Sequence, residues 1–394
     1  MTLQDAIRDS SGTLNWERVR ELYANQHPLL NLNNAAVSPP PVTVASAVSD
    51  ALNFISQNPD VNMWSGLDKQ LPDVKRHLAR VADCEPEEIA LNRNASEALS
   101  TALFGIPLKA GDHVVMSEWD YPSAGTGWAQ RRQRENIEVE QVQFDRLDDD
   151  DAIVGAYVNA IRPQTRVIYL THMLHWTGKV LPVERICAIA REKGVLTVVD
   201  AAQSFAQMPI SFRAMGCDYF ITSLHKWLGA PVGNGMLIVK RERIANTWPL
   251  LAPFDKDPSS IGKFDHWNLG TYNSALQAGI EPAIRLHEAI GVESIRARLQ
   301  HLTRYWVNLA RDIPGFELHT DIETDKLGAV GLFSVKGVDS QLLEQMLRDR
   351  YKINSKYRKV LNLEGIRISP HIYMRESELN IFVDSLRDAV IRIR

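Results

Sequence analysis

The sequence predicts an α/β protein with a large, mostly parallel seven-stranded sheet and a smaller C-terminal α+β domain. From residue 88 onward, short apolar runs alternate with stretches of helical period. Those runs are apolar on both faces, as strands covered by helices on each side must be. At 394 residues the chain also exceeds the usual single domain, so a second, smaller one is expected.

Taken in order, the strands are EIALN (88–92), HVVMSEW (113–119), IEVEQVQF (137–144), TRVIYLTHM (165–173), GVLTVVDAAQ (194–203), DYFITS (218–223) and GMLIVKR (235–241). Helices are expected over ASEALSTALFG (95–105) and VERICAIAREK (183–193), where the period changes from two to 3.6. The triple proline 39–41 closes the LNNAAVS segment, and the polar stretch from Pro253 to Gly262 is a surface loop. Residues 281–312 are helical in pattern with a break near Gly291, and lead into a small domain. That domain holds strands at FELHT, GAVGLFSVKG and GIRISP, a helix from Ser340 to Arg350 and a last helix from Glu376. The expected division is an N-terminal helical segment (1–30), a large domain (31–280) and a connecting helix with the small domain (281–394).

Composition narrows the function. Three cysteines, Cys84, Cys187 and Cys217, form no CxxC pair and point to a reducing compartment without structural zinc. No stretch approaches eighteen consecutive apolar residues, which argues against a membrane span. The cysteine usage makes a cytoplasmic location the expectation; MTLQDAIRDSSG, with acids beside its basic residue and no apolar run, does not read as a secretion or transit signal, and a leader removed earlier stays open. The net charge of −4, with basic residues scattered, gives no reason to expect nucleic acid. The expected partner is a small molecule.

Asp200 ends an apolar strand, where ligands gather at the carboxyl edge of α/β sheets. Lys226 follows another apolar strand in SLHKWLG, beside a tryptophan and a leucine that would desolvate its ammonium. An acid able to keep a pyridine nitrogen protonated, with a lysine able to form a Schiff base, is what pyridoxal 5′-phosphate chemistry requires. Alone, Asp200 reads equally as a cap or sheet-edge acid, and Lys226 as a snorkelling surface lysine; the pairing selects the chemical reading. Gln203 lies within reach of ring substituents. Asn94, Ala95 and Ser96 sit between a strand and a helix, where free amides bind an anion or form an ordinary cap. Ser223 and His225 are further phosphate donors, or a turn hydroxyl and an edge imidazole.

SLHKWLGAPVGNG, VVDAAQS, LNNAAVSPPP and GTYNS together resemble the class V aminotransferases, a branch of the fold-type I pyridoxal-phosphate enzymes. The likeness covers almost the whole chain and is closest on the side of isopenicillin N epimerase and the carbon–sulfur lyases. It implies that Lys226 forms the Schiff base, Asp200 partners the pyridine nitrogen, and Gln203 approaches the phenolic oxygen. Ser96, Ser223 and His225 then form the phosphate shell. It further implies a homodimer with active sites at the interface, Thr271 being sent to the phosphate of the partner subunit. Tyr121 would stack on the cofactor, or serve as a core tyrosine. Arg367 would grip the substrate carboxylate with its planar fork, and Asn33 and Asn34 would line the entrance, or form a turn.

Two departures bear on the reaction. The desulfurases of this family carry a nucleophilic cysteine in the small domain, and YKINSKYRKVLNLEGIRIS has none. His175, in THMLHWTG, replaces an asparagine beside the cofactor oxygen, and is open to reading as a donor, a proton carrier or a buried histidine. His172 and His175 form an HxxH pair too sparse to indicate metal. Trp64, Trp119, Trp128 and Trp176 suggest a bulky substrate or ordinary core. The expected activity is β-elimination from a sulfur-substituted amino acid, with aminotransfer and epimerisation as alternatives.

Overall fold

The structure is a computed structural model that describes residues 2–23 and 28–394; Met1 and residues 24–27 of the N-terminal segment lie outside it. Short helices at Leu3–Ala6 and Trp16–Glu21 precede strand β1 (Leu30–Asn31). The large sheet is built from β2 (Ile89–Asn92), β3 (His113–Ser117), β4 (Glu138–Val142), β5 (Thr165–Thr171), β6 (Leu196–Asp200), β7 (Tyr219–Ser223) and β8 (Gly235–Val239). Their spatial order is β2-β8-β7-β6-β5-β3-β4. Only β8 runs against its neighbours, β2 and β7; the remaining pairs are parallel.

All residues of β2, β3, β7 and β8 are buried, which accounts for their unbroken apolar character. At the sheet edge β4 keeps Glu138 and Gln141 exposed, since one side of it has no strand to cover it. Crossover helices at Pro122–Glu135 and Asp150–Asn159 complete the layers. The first of these contains two glycines and a polar face, so its period is weak in the sequence.

The connecting region forms two helices, Ile280–Ile290 and Val292–Ala310, broken at Gly291. Gly291 has φ +87°, a conformation a side chain would resist. Beyond it, β9 (Phe316–Leu318), β10 (Gly331–Val335), β12 (Lys356–Val360) and β13 (Leu363–Ile368) form an antiparallel sheet in the order β12-β13-β10-β9. Strand β11 (Ile353–Asn354) pairs in parallel with β1 and so ties the N-terminal segment to the small domain. The helices Ser340–Asp349 and Glu376–Ile393 pack against each other beside this sheet.

One apolar core joins Ile168, Leu170 and Phe220 of the large sheet to Trp306, Phe333 and Phe382 of the small domain. The other face of the large sheet packs around Trp128, Tyr169 and Leu237. This arrangement presents the small-domain strands β12 and β13 to the carboxyl edge of the large sheet.

Candidate active site

Along that edge, Thr171 ends β5, Asp200 ends β6 and Ser223 ends β7, while the turns after β2 and β3 supply Asn94–Ser96 and Tyr121. With Ala35, Gln203, His225, Lys226, Arg358 and Arg367, they line a cavity of about 430 Å³. Residues far apart in sequence converge there because parallel strands all release their loops at the same end.

Lys226 is partly exposed to the cavity. Burial pulls its amine down to about 8; Asp200 opposes the shift, while Arg367 and Arg358 reinforce it. Asp200 is buried, with Oδ1 accepting from the Ala202 amide at 2.9 Å and Oδ2 from the Tyr169 hydroxyl at 3.1 Å. Burial raises its pKa, against the Ala202 amide, Lys226 and Tyr169. Beside it, Asp120 accepts from the Thr171 hydroxyl at 2.6 Å and the Ser117 amide at 2.7 Å. Burial, helped by the charge of Asp200 and opposed by the Thr171 and Ser117 hydrogen bonds, pushes Asp120 up to about 7.

At the opposite end, the helix Ala95–Gly105 begins with amides that have no carbonyl within the helix to bind. Asn94 caps the Glu97 amide at 2.9 Å, and the Ala95 amide donates to Ser223 Oγ at 3.0 Å. Ser96 is left open to the cavity. Gly235, opposite Asn92 in the β2–β8 pair, permits this turn to approach: a Cβ there would stand 2.5 Å from the Asn94 carbonyl carbon. His225 donates from Nδ1 to the Asn234 carbonyl at 3.0 Å. Burial lowers its pKa, so its Nε2 donates to an anion only when that anion draws a proton onto the ring.

Arg367 is 1% exposed. It donates from Nη1 to the His175 carbonyl at 3.0 Å and from Nη2 to Asn33 Oδ1 at 2.8 Å, and its Nε has no partner among the described residues. Burial, then Arg358, lowers its pKa to about 9. Asn33 therefore orients the arginine. Asn34 is turned into the protein, donating to Ser369 O at 2.9 Å and Asn31 O at 3.0 Å and accepting from the Tyr373 hydroxyl at 2.9 Å. It does not line the cavity.

Tyr121 and His175 meet edge to face, 5.1 Å between ring centres, and His175 packs on Trp176 at 4.0 Å. Burial, followed by Arg367, Arg358 and Lys226, holds the His175 pKa well below its usual value, so the ring is neutral. Gln203 donates to Ala35 O at 2.9 Å and accepts from Trp227 Nε1 at 3.1 Å, which leaves one Nε2 hydrogen for a ligand. Thr271 is exposed and does not line the cavity of its own chain. None of the four tryptophans lines it either: Trp119 and Trp128 are core residues, Trp176 stands behind His175, and Trp64 is 57% exposed on the surface. His172 bonds Ser204 at 2.8 Å, and no group of metal-binding side chains forms among the described residues.

The sequence reading missed Tyr169, Asp120, Arg93 and Arg358. Tyr169 sits within an apolar strand and gives no signal of its hydroxyl's task. Asp120 is found by its place beside Tyr121 after a strand. Arg93 lines the cavity while paired with Glu97 at 2.8 Å.

A buried carboxylate held by two donors, a lysine amine of depressed pKa and a helix start open to an anion together fit the ring nitrogen, carbonyl and phosphate of pyridoxal 5′-phosphate. Fold and site thus define a pyridoxal-phosphate-dependent enzyme of fold type I. The chain belongs to the class-V aminotransferase family, whose model matches residues 30–382. It is 25% identical over 387 residues to isopenicillin N epimerase of Streptomyces clavuligerus, covering 94% of this chain and 97% of that protein. A probable cysteine desulfurase of Synechocystis is 27% identical over 398 residues, covering 93% and 92%. Among solved structures, cysteine desulfurase CsdA of Escherichia coli superposes with a TM-score of 0.84 at 20% identity, covering 97% and 100%. The cystine C–S lyase C-DES, in complex with its product cysteine persulfide, gives 0.82 at 20% identity, covering 92% and 98%.

The depressed Lys226 pKa has a direct consequence. An amine loses its proton as pH rises through its pKa, so at pH 8 half of Lys226 is free, against roughly 0.3% of an ordinary lysine. Capture of added pyridoxal phosphate by the apoenzyme, followed by absorbance, should accelerate about tenfold per pH unit below 8 and level off above it. A rise continuing to pH 10 contradicts the shift.

Proposed function

We propose that the protein is a carbon–sulfur β-lyase acting on a sulfur-substituted amino acid. The observation that carries this reading is a cavity in which, among the described residues, Lys226 is the one amine, with a pKa of about 8, and no cysteine is present. All three cysteines are buried elsewhere in the fold. A thiol that could take sulfur onto the enzyme is thereby missing, and sulfur leaves with the substrate's own substituent. The likeness to a cystine C–S lyase supports the same reading.

Pyridoxal phosphate, when bound, supplies an electron sink for the pair left by α-proton removal. Arg367 would hold the substrate carboxylate in the cavity that Lys226 also lines. The free amine of Lys226 takes the α-proton and can return it to the departing sulfur. Asp200, steadied by Tyr169 and the Ala202 amide, would keep the proton on the ring nitrogen. Burial, followed by Arg367, Arg358 and Lys226, lowers the pKa of His175, so this ring is a poor acid for the reprotonation that epimerisation requires.

A homodimer belongs to this reading. Thr271 is exposed, as a residue delivered to a second copy would be, and Leu52, Phe54, Val61 and Trp64 are exposed on two adjoining elements. For the reaction, the loaded enzyme is incubated with L-cystine or an S-alkyl-L-cysteine, with and without a 2-oxo acid. Pyruvate and ammonia released without an acceptor are the expected products. Amine transfer that requires the 2-oxo acid, or inversion without release, overturns the lyase reading.

A further inference from the structure

The cavity contains a guanidinium for which the reaction above has no task. In the β12–β13 pair, Arg358 faces Gly365 and Lys356 faces Arg367. Residues directly opposite in an antiparallel pair share a face, so Arg358 and Arg367 are diagonal neighbours on one face of the sheet. Both line the cavity.

Among the described residues, no carboxylate lies within ion-pair distance of Arg358. Its guanidinium stands 5.8 Å from the centre of the Trp176 ring, and its Nε is buried without a partner. Stacking on an indole positions the group but does not neutralise it. The charge is felt across the cavity, since Arg358 contributes to the lowered pKa values of Arg367, Lys226 and His175. The other anionic groups of the loaded site would already be matched: the α-carboxylate by Arg367 and the phosphate by Ser96, Ser223 and His225. A partly buried arginine in a cavity already rich in positive charge is stable when a ligand brings its counter-ion.

We propose that Arg358 binds a carboxylate at the far end of the substrate side chain, so that the substrate is an amino acid with a second acidic group. This rests on reading the cavity as an amino-acid site. Within the lyase reading, the sulfur substituent itself carries the acid, as in an S-(carboxyalkyl)-cysteine.

The test compares ligands that differ only in that charge. Affinities of the loaded enzyme for L-glutamate and L-glutamine, which have no sulfur substituent to eliminate, are measured by calorimetry. Pyruvate release is then compared for S-carboxymethyl-L-cysteine and its carbamoylmethyl counterpart. A charge-assisted pair predicts a preference for the acid of about tenfold or more in both comparisons. The ratio should fall to near one in Arg358→Met and recover in part in Arg358→Lys.

Equal affinity for glutamate and glutamine overturns the assignment, while the lyase reading continues to stand or fall on its product assay. A ratio that survives in Arg358→Met also overturns it, because another cation then reads the second acid. If Arg358→Met weakens acid and amide ligands alike, Arg358 shares the α-carboxylate with Arg367 and the assignment fails. Binding of neither ligand overturns both the assignment and the amino-acid site on which it rests.

Discussion

Lys226→Ala should lower turnover by about 10⁴-fold or more, and the purified variant should lack the yellow colour that borohydride bleaches in the parent. The size of the effect follows from two duties resting on one atom. In the proposed mechanism the Lys226 amine would both hold the cofactor covalently and remove the α-hydrogen as a base. Burial prepares it for both by pulling its pKa to about 8. Among the described residues no other lysine lines the cavity to replace it. Alanine removes charge from a site that also holds Arg358 and Arg367, so the fold should tolerate it, and circular dichroism checks that point. Unchanged turnover and colour in this variant would refute the mechanism.

Asp200→Asn should reduce kcat by about 10³-fold with a smaller loss of cofactor affinity. Asparagine preserves the shape and still accepts from the Ala202 amide, but it cannot hold a proton on the ring nitrogen. Anchorage persists through Lys226 and the turn at Asn94–Ser96, so binding and rate should separate. A cofactor analogue methylated at its ring nitrogen carries the positive charge permanently and should restore part of the lost rate. If the variant retains parental kcat, Asp200 has no electrostatic role and its hydrogen bonds from Tyr169 and Ala202 are merely structural.

Much of this architecture is legible along the chain. The seven apolar runs became the seven strands of the large sheet, and Gly291 broke the connecting helix where its spacing places it. Asp200 and Lys226 stood out because one ends and the other follows a largely buried strand, which marks the edge where polar side chains collect. Strand β12 gave no such signal. Its sequence, KYRKV, is polar and partly exposed, and it is a strand because β13 pairs with it.

The adjoining asparagines show the same limit. Asn33 and Asn34 read alike in sequence, yet a bridge to Ser369 aims one at Arg367 and buries the other against Tyr373. Thr271 gives another case, exposed and away from its own chain's cavity.

By itself the sequence determined the strand and helix order, the family, and the acid and amine that define the chemistry, because periodicity and strand ends are local properties. Only the tertiary structure decided that Tyr169 supports Asp200, that Asn33 holds Arg367, and that Arg358 shares the substrate cavity. Those relations depend on register and on which loops meet at a common edge, and hydrogen bonds between residues 31 or 334 positions apart leave no periodic trace in the chain.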